Sequence, residues 1–160
     1  MSRVSEKAHV TCVPTLTGGL GQQELSRFYS EFFMPSNPDS LSMRLLSRTI
    51  GVDRVVDELY VTFQHTQAMP WILPGIPPTH KTVEIAMVSV IRIRAGKLES
   101  EHLYWDQASV LVQIGLLDPM LVPEKWKKQG VEELPIFGGE SARLVADEKT
   151  RQRNELIDDW

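Results

Sequence analysis

The sequence predicts an α+β domain, on three observations. An apolar stripe at helical spacing, Leu25, Phe28, Tyr29, Phe32 and Phe33, comes early. Three later segments read as strands, the first by period-2 alternation and the second as an apolar run covered on both faces. The last of these gives way at Asp106 to a second short stripe, Ala108, Leu111 and Val112. One helix, then a curved antiparallel meander, then a helix is a plan with the helices on one face of a sheet.

Each element has its own warrant. Residues 1–20 read as a polar N-terminal arm ending in the breaker Thr17-Gly18-Gly19. A helix starts at Gly21 and stops in Met34-Pro35-Ser36-Asn37-Pro38-Asp39, because proline cannot continue a helix. Leu41 to Ile50 is a short strand ended by Gly51. In the next strand Val55, Leu59, Val61 and Phe63 alternate with Glu58, Tyr60 and Thr62, and the pattern runs into His65. The loop from Ala68 to Lys81 carries four prolines and is long for a hairpin, which marks it as a functional candidate. Val83 to Ile93 is apolar on both faces, as in a strand covered on both sides. A tight turn at Ala95-Gly96-Lys97 leads into a strand from Leu98 to Asp106. Gly115 stops the helix that follows. Beyond Asp118 the chain is punctuated by proline and glycine, then charged and helical over 141–156.

Bulk properties exclude several function classes. A chain of 160 residues, 42% apolar and 24% charged, builds one core. Its net charge of -4 and interleaved basic residues argue against nucleic acid as a partner. The lone Cys12 fits a reducing compartment, and no apolar run reaches the length of a membrane span. A cytoplasmic protein with no membrane partner is expected. Gly-rich phosphate loops, Gly-x-Ser-x-Gly elbows and Cys-x-x-Cys pairs are missing, so no cofactor is expected. His65, His102 and Asp106 make a poor metal set, since His102 and Asp106 stand about 13 Å apart on an extended strand. No metal site is expected.

Strand alternation selects the candidate site. Pairing about Gly96 sets Asp106 near Ala86 and His102 near Val90; pairing across the proline loop sets Ala86 near Phe63 and Glu84 near His65. One face then carries Leu59, Val61, Phe63, Ala86, Val88 and Val90 together with His65, His102, Tyr104 and Asp106. Polar groups on an apolar wall are what a small-molecule site looks like. A desolvated carboxylic acid there suits general acid/base work, and histidine titrates near neutrality. Asp106, His65 and His102 are the catalytic candidates; Tyr104, Phe63, Trp71 and Val88 are the substrate contacts. Each polar member also has a bland reading: Asp106 as an N-cap, the histidines as core or rim residues, Tyr104 as packing.

Tyr104-Trp105-Asp106-Gln107-Ala108-Ser109-Val110-Leu111-Val112-Gln113-Ile114-Gly115-Leu116-Leu117-Asp118-Pro119 resembles the strand-to-helix segment of SnoaL-like polyketide cyclases, within the nuclear transport factor 2-like superfamily. The 51–58 and 73–79 segments and Gly138-Gly139-Glu140-Ser141-Ala142 are similar to a branch linked to dienelactone hydrolases, and the likeness spans about residues 15–145. The resemblance implies a cone-shaped α+β barrel, a highly curved antiparallel sheet wrapped around N-terminal helices and enclosing an apolar cavity. It implies a cone domain over 21–119, with 120–160 as an extension packing on the same domain or its partner. It also implies an acid/base aspartate at Asp106, as in the cyclases. Scytalone dehydratase, with a His/Asp pair on this fold, draws attention to His65 and His102. Limonene epoxide hydrolase uses an Asp-Arg-Asp set, for which Arg92 and Arg94 lack a second matching carboxylate. Pairing through the outer sheet face, with Tyr60, Met87, Ile91, Leu103 and Trp105 outward, implies a homodimer. The leading expectation is a cyclase, isomerase or lyase acting on a small apolar carbonyl-bearing molecule, without a cofactor, in secondary metabolism. A non-catalytic binding or dimerisation module and a water-activating hydrolase are the alternatives.

Overall fold

A computed structural model describes residues 3–147. Six strands form one curved, unclosed sheet in the order β2-β1-β6-β5-β4-β3. In chain order these are β1 (Val4–Cys12), β2 (Thr17–Leu20), β3 (Ser42–Ile50), β4 (Arg54–Gln64), β5 (Thr82–Arg94) and β6 (Lys97–Trp105). All pairings are antiparallel except β1 with β6. The α+β class is as expected.

Residues 4–20, expected as a polar arm, form a hairpin inside the sheet. Ala8, Val10 and Cys12 point into the core while Lys7, His9 and Thr11 alternate with them. That is a half-buried strand with charged residues outward. The glycine at 18 is required: its φ is +140°, and a Cβ there would lie 1.9 Å from the Val10 carbonyl oxygen.

Helix α1 (Gly21–Arg27) runs into a π-helical turn, Phe28–Phe33, and a short 3₁₀ turn, Met34–Ser36. The wider turn lets Phe28, Tyr29 and Phe33 gather against the core. Pro35 accompanies the end of the helical run.

The two long hairpins differ in how their register is set. Ala95 and Gly96 both have positive φ (48° and 72°), the backbone of a two-residue I′-type turn. Such a turn fixes register, and Val90 opposes His102 as expected. The connection from β4 to β5 spans residues 65–81 and fixes nothing. There Phe63 opposes Val83, not Ala86, an offset of three residues. An odd offset exchanges the faces. Leu59, Val61 and Phe63 therefore share the concave face with Ile85, Met87, Leu103 and Trp105, whereas Ala86, Val88, Val90, His102 and Tyr104 lie on the convex face. The set expected to face outward in a homodimer is corrected accordingly: Met87, Leu103 and Trp105 are buried inside.

The proline-rich loop plugs one end of the core. Met69, Trp71, Ile72 and Leu73 are fully buried. The Trp71 indole N–H donates to Asn37 Oδ1 (2.9 Å), and its carbonyl accepts from the hydroxyls of Thr15 (2.8 Å) and Thr17 (3.0 Å). Helix α2 (Gln107–Gln113) closes the end of the core with Val110 and Ile114. Gln113 continues the sheet past β6: its amide accepts from Glu84 N–H (2.8 Å) and donates to the Glu84 carbonyl (2.9 Å).

After the short α3 (Glu124–Lys127), helix α4 (Glu140–Ala146) lies on the convex face, where Arg143 pairs with Glu84 and Arg44 reaches the Ala146 carbonyl (3.5 Å). Helices thus occupy both sides of the sheet. The remainder of the helix expected over 141–156 lies outside the described residues. No helix among them is long and apolar enough to cross a membrane.

Candidate active site

Among the described residues four hydrogen-bonding side chains besides Trp71 line the concave side of the core, each on a strand or helix turn that otherwise presents apolar residues to the cavity. In β4 it is Asp57, ahead of Leu59, Val61 and Phe63; in β5 it is Ser89, between Met87 and Ile91; in β6 it is Glu101, ahead of Leu103 and Trp105. Asp57 sits opposite Ser89, and Ile91 opposite Glu101, so the three cluster across adjacent strands. Tyr29 comes down onto them from the π-helical turn.

These groups line a cavity of about 230 Å³ whose walls include Val10, Phe28, Phe33, Leu59, Trp71, Met87, Ile91 and Leu103. The Glu101 carboxyl is the hub. Its Oε2 accepts from the Tyr29 hydroxyl (3.1 Å) and its Oε1 from the Ser89 hydroxyl (3.1 Å). Burial and the adjacent Glu101 charge push the Tyr29 phenol well above its ordinary value, so it keeps its proton and acts as a donor. Asp57 is held differently. Arg48 of β3 grips it with two bonds, Nε to Oδ1 (2.6 Å) and an Nη to Oδ2 (2.7 Å). That fork holds the Asp57 carboxyl below the usual carboxylate range, against the opposing effect of burial. Asp57 is a fixed anion; among the described residues Glu101 is bound only by hydroxyls, which can turn to another acceptor.

Most of the expected site residues lie elsewhere. Asp106 is exposed and caps α2, its Oδ1 accepting from Ala108 N–H (3.0 Å). Tyr104, 43% exposed, and Val88 lie on the convex face. His102 is there too, with Nε2 at 3.1 Å from His9 Nε2 and its ring edge-on to Tyr104. The assignment of these four to a pocket wall is corrected by the β4–β5 register. His65 is fully buried, its Nδ1 accepting from Thr79 N–H (3.3 Å) and 3.1 Å from the Thr79 hydroxyl. Among the described residues its Nε2 has no hydrogen-bond partner, and burial pushes its pKa down. It lies apart from the cavity lining, as does Phe63, which is core. Trp71 alone of the expected contacts lines the cavity.

The missed residues did carry a signal. Glu101, Ser89 and Asp57 each break an otherwise apolar period-2 series, Glu101-Leu103-Trp105, Ile85-Met87-Ser89-Ile91 and Asp57-Leu59-Val61-Phe63. A polar residue in the buried phase of a strand needs a partner or a purpose. Tyr29 was hidden in an aromatic stripe that also reads as core. Among the described residues no three His, Cys, Asp or Glu side chains group around a common metal position.

No family model matches the chain, and no curated protein matches it. Solved structures do. A protein from Jannaschia sp. CCS1 described as a SnoaL-like polyketide cyclase superposes with a TM-score of 0.57 at 16% identity, over 73% of this chain and 76% of that one. A Catenulispora acidiphila DSM 44928 protein with a ketosteroid isomerase-like fold, in complex with trimethylamine, gives 0.54 at 16% identity, over 72% and 79%. AclR from Streptomyces galilaeus, described as a hydroxylase, gives 0.55 at 20% identity, over 91% and 82%. At these identities the likeness is one of fold, and this chain has the fold of the SnoaL-like and NTF2-like proteins.

Proposed function

We propose that the chain is a small-molecule enzyme of the isomerase or cyclase kind, with Glu101 as the acid/base and Tyr29 as the hydrogen-bond donor to the substrate. The observation that carries this reading is the Tyr29–Glu101–Ser89 group inside an apolar cavity. A carboxylate there removes a proton next to a carbonyl and returns it at another carbon. Tyr29, kept protonated, turns its hydroxyl from Glu101 to the oxygen on which negative charge develops. Arg48 keeps Asp57 anionic in the same wall, so Asp57 shapes the field without taking part in proton transfer.

The substrate is a small, mostly apolar, carbonyl-bearing molecule. The cavity is below the roughly 300–1,000 Å³ of drug-sized pockets, which limits the substrate to a compact skeleton. The reading is supported by the company of the fold, which includes proteins described as cyclase and ketosteroid isomerase-like. It moves the acid/base role from Asp106 to Glu101.

The test is deuterium incorporation from D₂O into a panel of small cyclic ketones, followed by NMR. Glu101→Gln should abolish exchange, and Tyr29→Phe should slow it by about 10²–10³-fold, the usual loss for one such donor. Ligands that bind but never exchange would replace this reading with a binding module.

A further inference from the structure

On the convex face, away from the cavity, β1 and β6 run parallel with Thr11 opposite His102 and His9 opposite Ser100. This register brings the rings of His9 and His102 together, centroids 5.2 Å apart, with their Nε2 atoms 3.1 Å from one another. We propose that His9 and His102 form a two-imidazole chelate for a divalent transition-metal ion, bound between their Nε2 atoms and tying the N-terminal strand to the sheet.

The geometry carries the inference. With metal–nitrogen bonds of about 2.0–2.1 Å, two ligands of a tetrahedral ion stand about 3.3–3.4 Å apart, and two neighbouring ligands of a square or octahedral ion about 2.8–3.0 Å. The observed 3.1 Å lies between, so a few tenths of an ångström of ring movement suits either. Among the described residues this mutual contact is the only hydrogen bond either ring makes, which leaves both Nδ1 atoms unengaged. The proton now shared between the Nε2 atoms can leave to water while Nδ1 of the same ring takes one up. Both Nε2 lone pairs then face one point, with no net change in charge. Both histidines are half-buried on paired strands, so little ring freedom remains to be lost on binding.

The site is open to solvent. His9 borders a shallow surface depression with Ser5, Lys7, Arg92, Glu99 and Ser100. Arg92 is neutralised by Asp53 (3.0 Å) and Glu99 (3.4 Å), which leaves Lys7 as the exposed cation nearby. No third His, Cys, Asp or Glu completes the set among the described residues, so water or a small exogenous ligand fills the other positions. Imidazole pairs favour Cu²⁺ over Ni²⁺ and Zn²⁺, and reject Mg²⁺.

The test is calorimetric titration of the untagged full chain with NiCl₂ and ZnCl₂, and with MgCl₂ as a control. One equivalent of Ni²⁺ or Zn²⁺ should bind, and His9→Gln and His102→Gln should each weaken binding by about tenfold or more. Binding unchanged in both variants, or no binding up to millimolar metal, overturns the proposal. A second measurement needs no variant: Cu²⁺ at substoichiometric amounts should broaden the His9 and His102 ring resonances before those of His65 and His80. Broadening that begins at another histidine overturns it as well.

Discussion

At the residue scale the decisive contrast is between two carboxylates, Glu101 within β6 and Asp106 just past its end. Asp106 sits where the strand ends and the next helix begins, and its side chain is used by that helix as a cap. Removing the cap should cost about 1 kcal/mol: Asp106→Ala lowers the midpoint of urea unfolding, while Asp106→Asn, an equally good cap, leaves it nearly unchanged. A loss of stability in the Asn variant as large as in the Ala variant would show that the charge, not the cap, matters. Glu101 is bound by two hydroxyls that report on it. Nothing in a residue's type separates these two roles; the phase of the strand does. Asp106 falls in the convex phase with His102 and Tyr104, Glu101 in the concave phase with Leu103 and Trp105.

At the element scale, legibility followed the connections. Strands β3 to β6, the first helix and α2 were readable from period and punctuation, and the Ala95-Gly96 turn gave the right β5–β6 pairing. The β4–β5 pairing was not readable, because a long connection leaves register to side-chain packing, and the offset of three exchanged the faces. Four of the expected site residues moved to the convex face for that one reason. β1 is hard to see in the sequence although Ala8, Val10 and Cys12 alternate with polar residues, because Lys7, His9 and Thr11 give a half-buried strand the look of a polar arm. The length of the proline loop suggests function, whereas its Met69, Trp71, Ile72 and Leu73 are core. Trp71→Ala should cost about 3–5 kcal/mol, measured by urea unfolding, since it leaves a cavity bounded by Phe33 and Trp105. A loss below 1 kcal/mol would mean that the loop is not part of the core.

At the scale of the whole molecule, pH links two buried groups to stability with the same sign. His65 has a folded pKa below its ordinary value, so on acidification the unfolded chain takes up its proton first. Stability therefore falls as pH drops below about 6.5, the ordinary histidine value. Asp57, held low by Arg48, contributes stability that is present above about pH 4 and is lost as pH falls through its depressed folded value. Urea unfolding across pH 3–8 should show both declines, the upper absent in His65→Gln and the lower flattened in Arg48→Met. An unchanged upper decline in His65→Gln would place it on another group.

The same fold sets the catalytic question, because the curved sheet sets Asp57, Ser89 and Glu101 on the concave side and turns Asp106 and His102 outward. The most direct test is the comparison of two isosteric variants, Glu101→Gln and Asp106→Asn, in exchange of ketone α-protons with D₂O. The expected result is loss of exchange in Glu101→Gln and retention in Asp106→Asn. Exchange retained in Glu101→Gln, or lost in a folded Asp106→Asn, would contradict the assignment of the acid/base to the concave cavity.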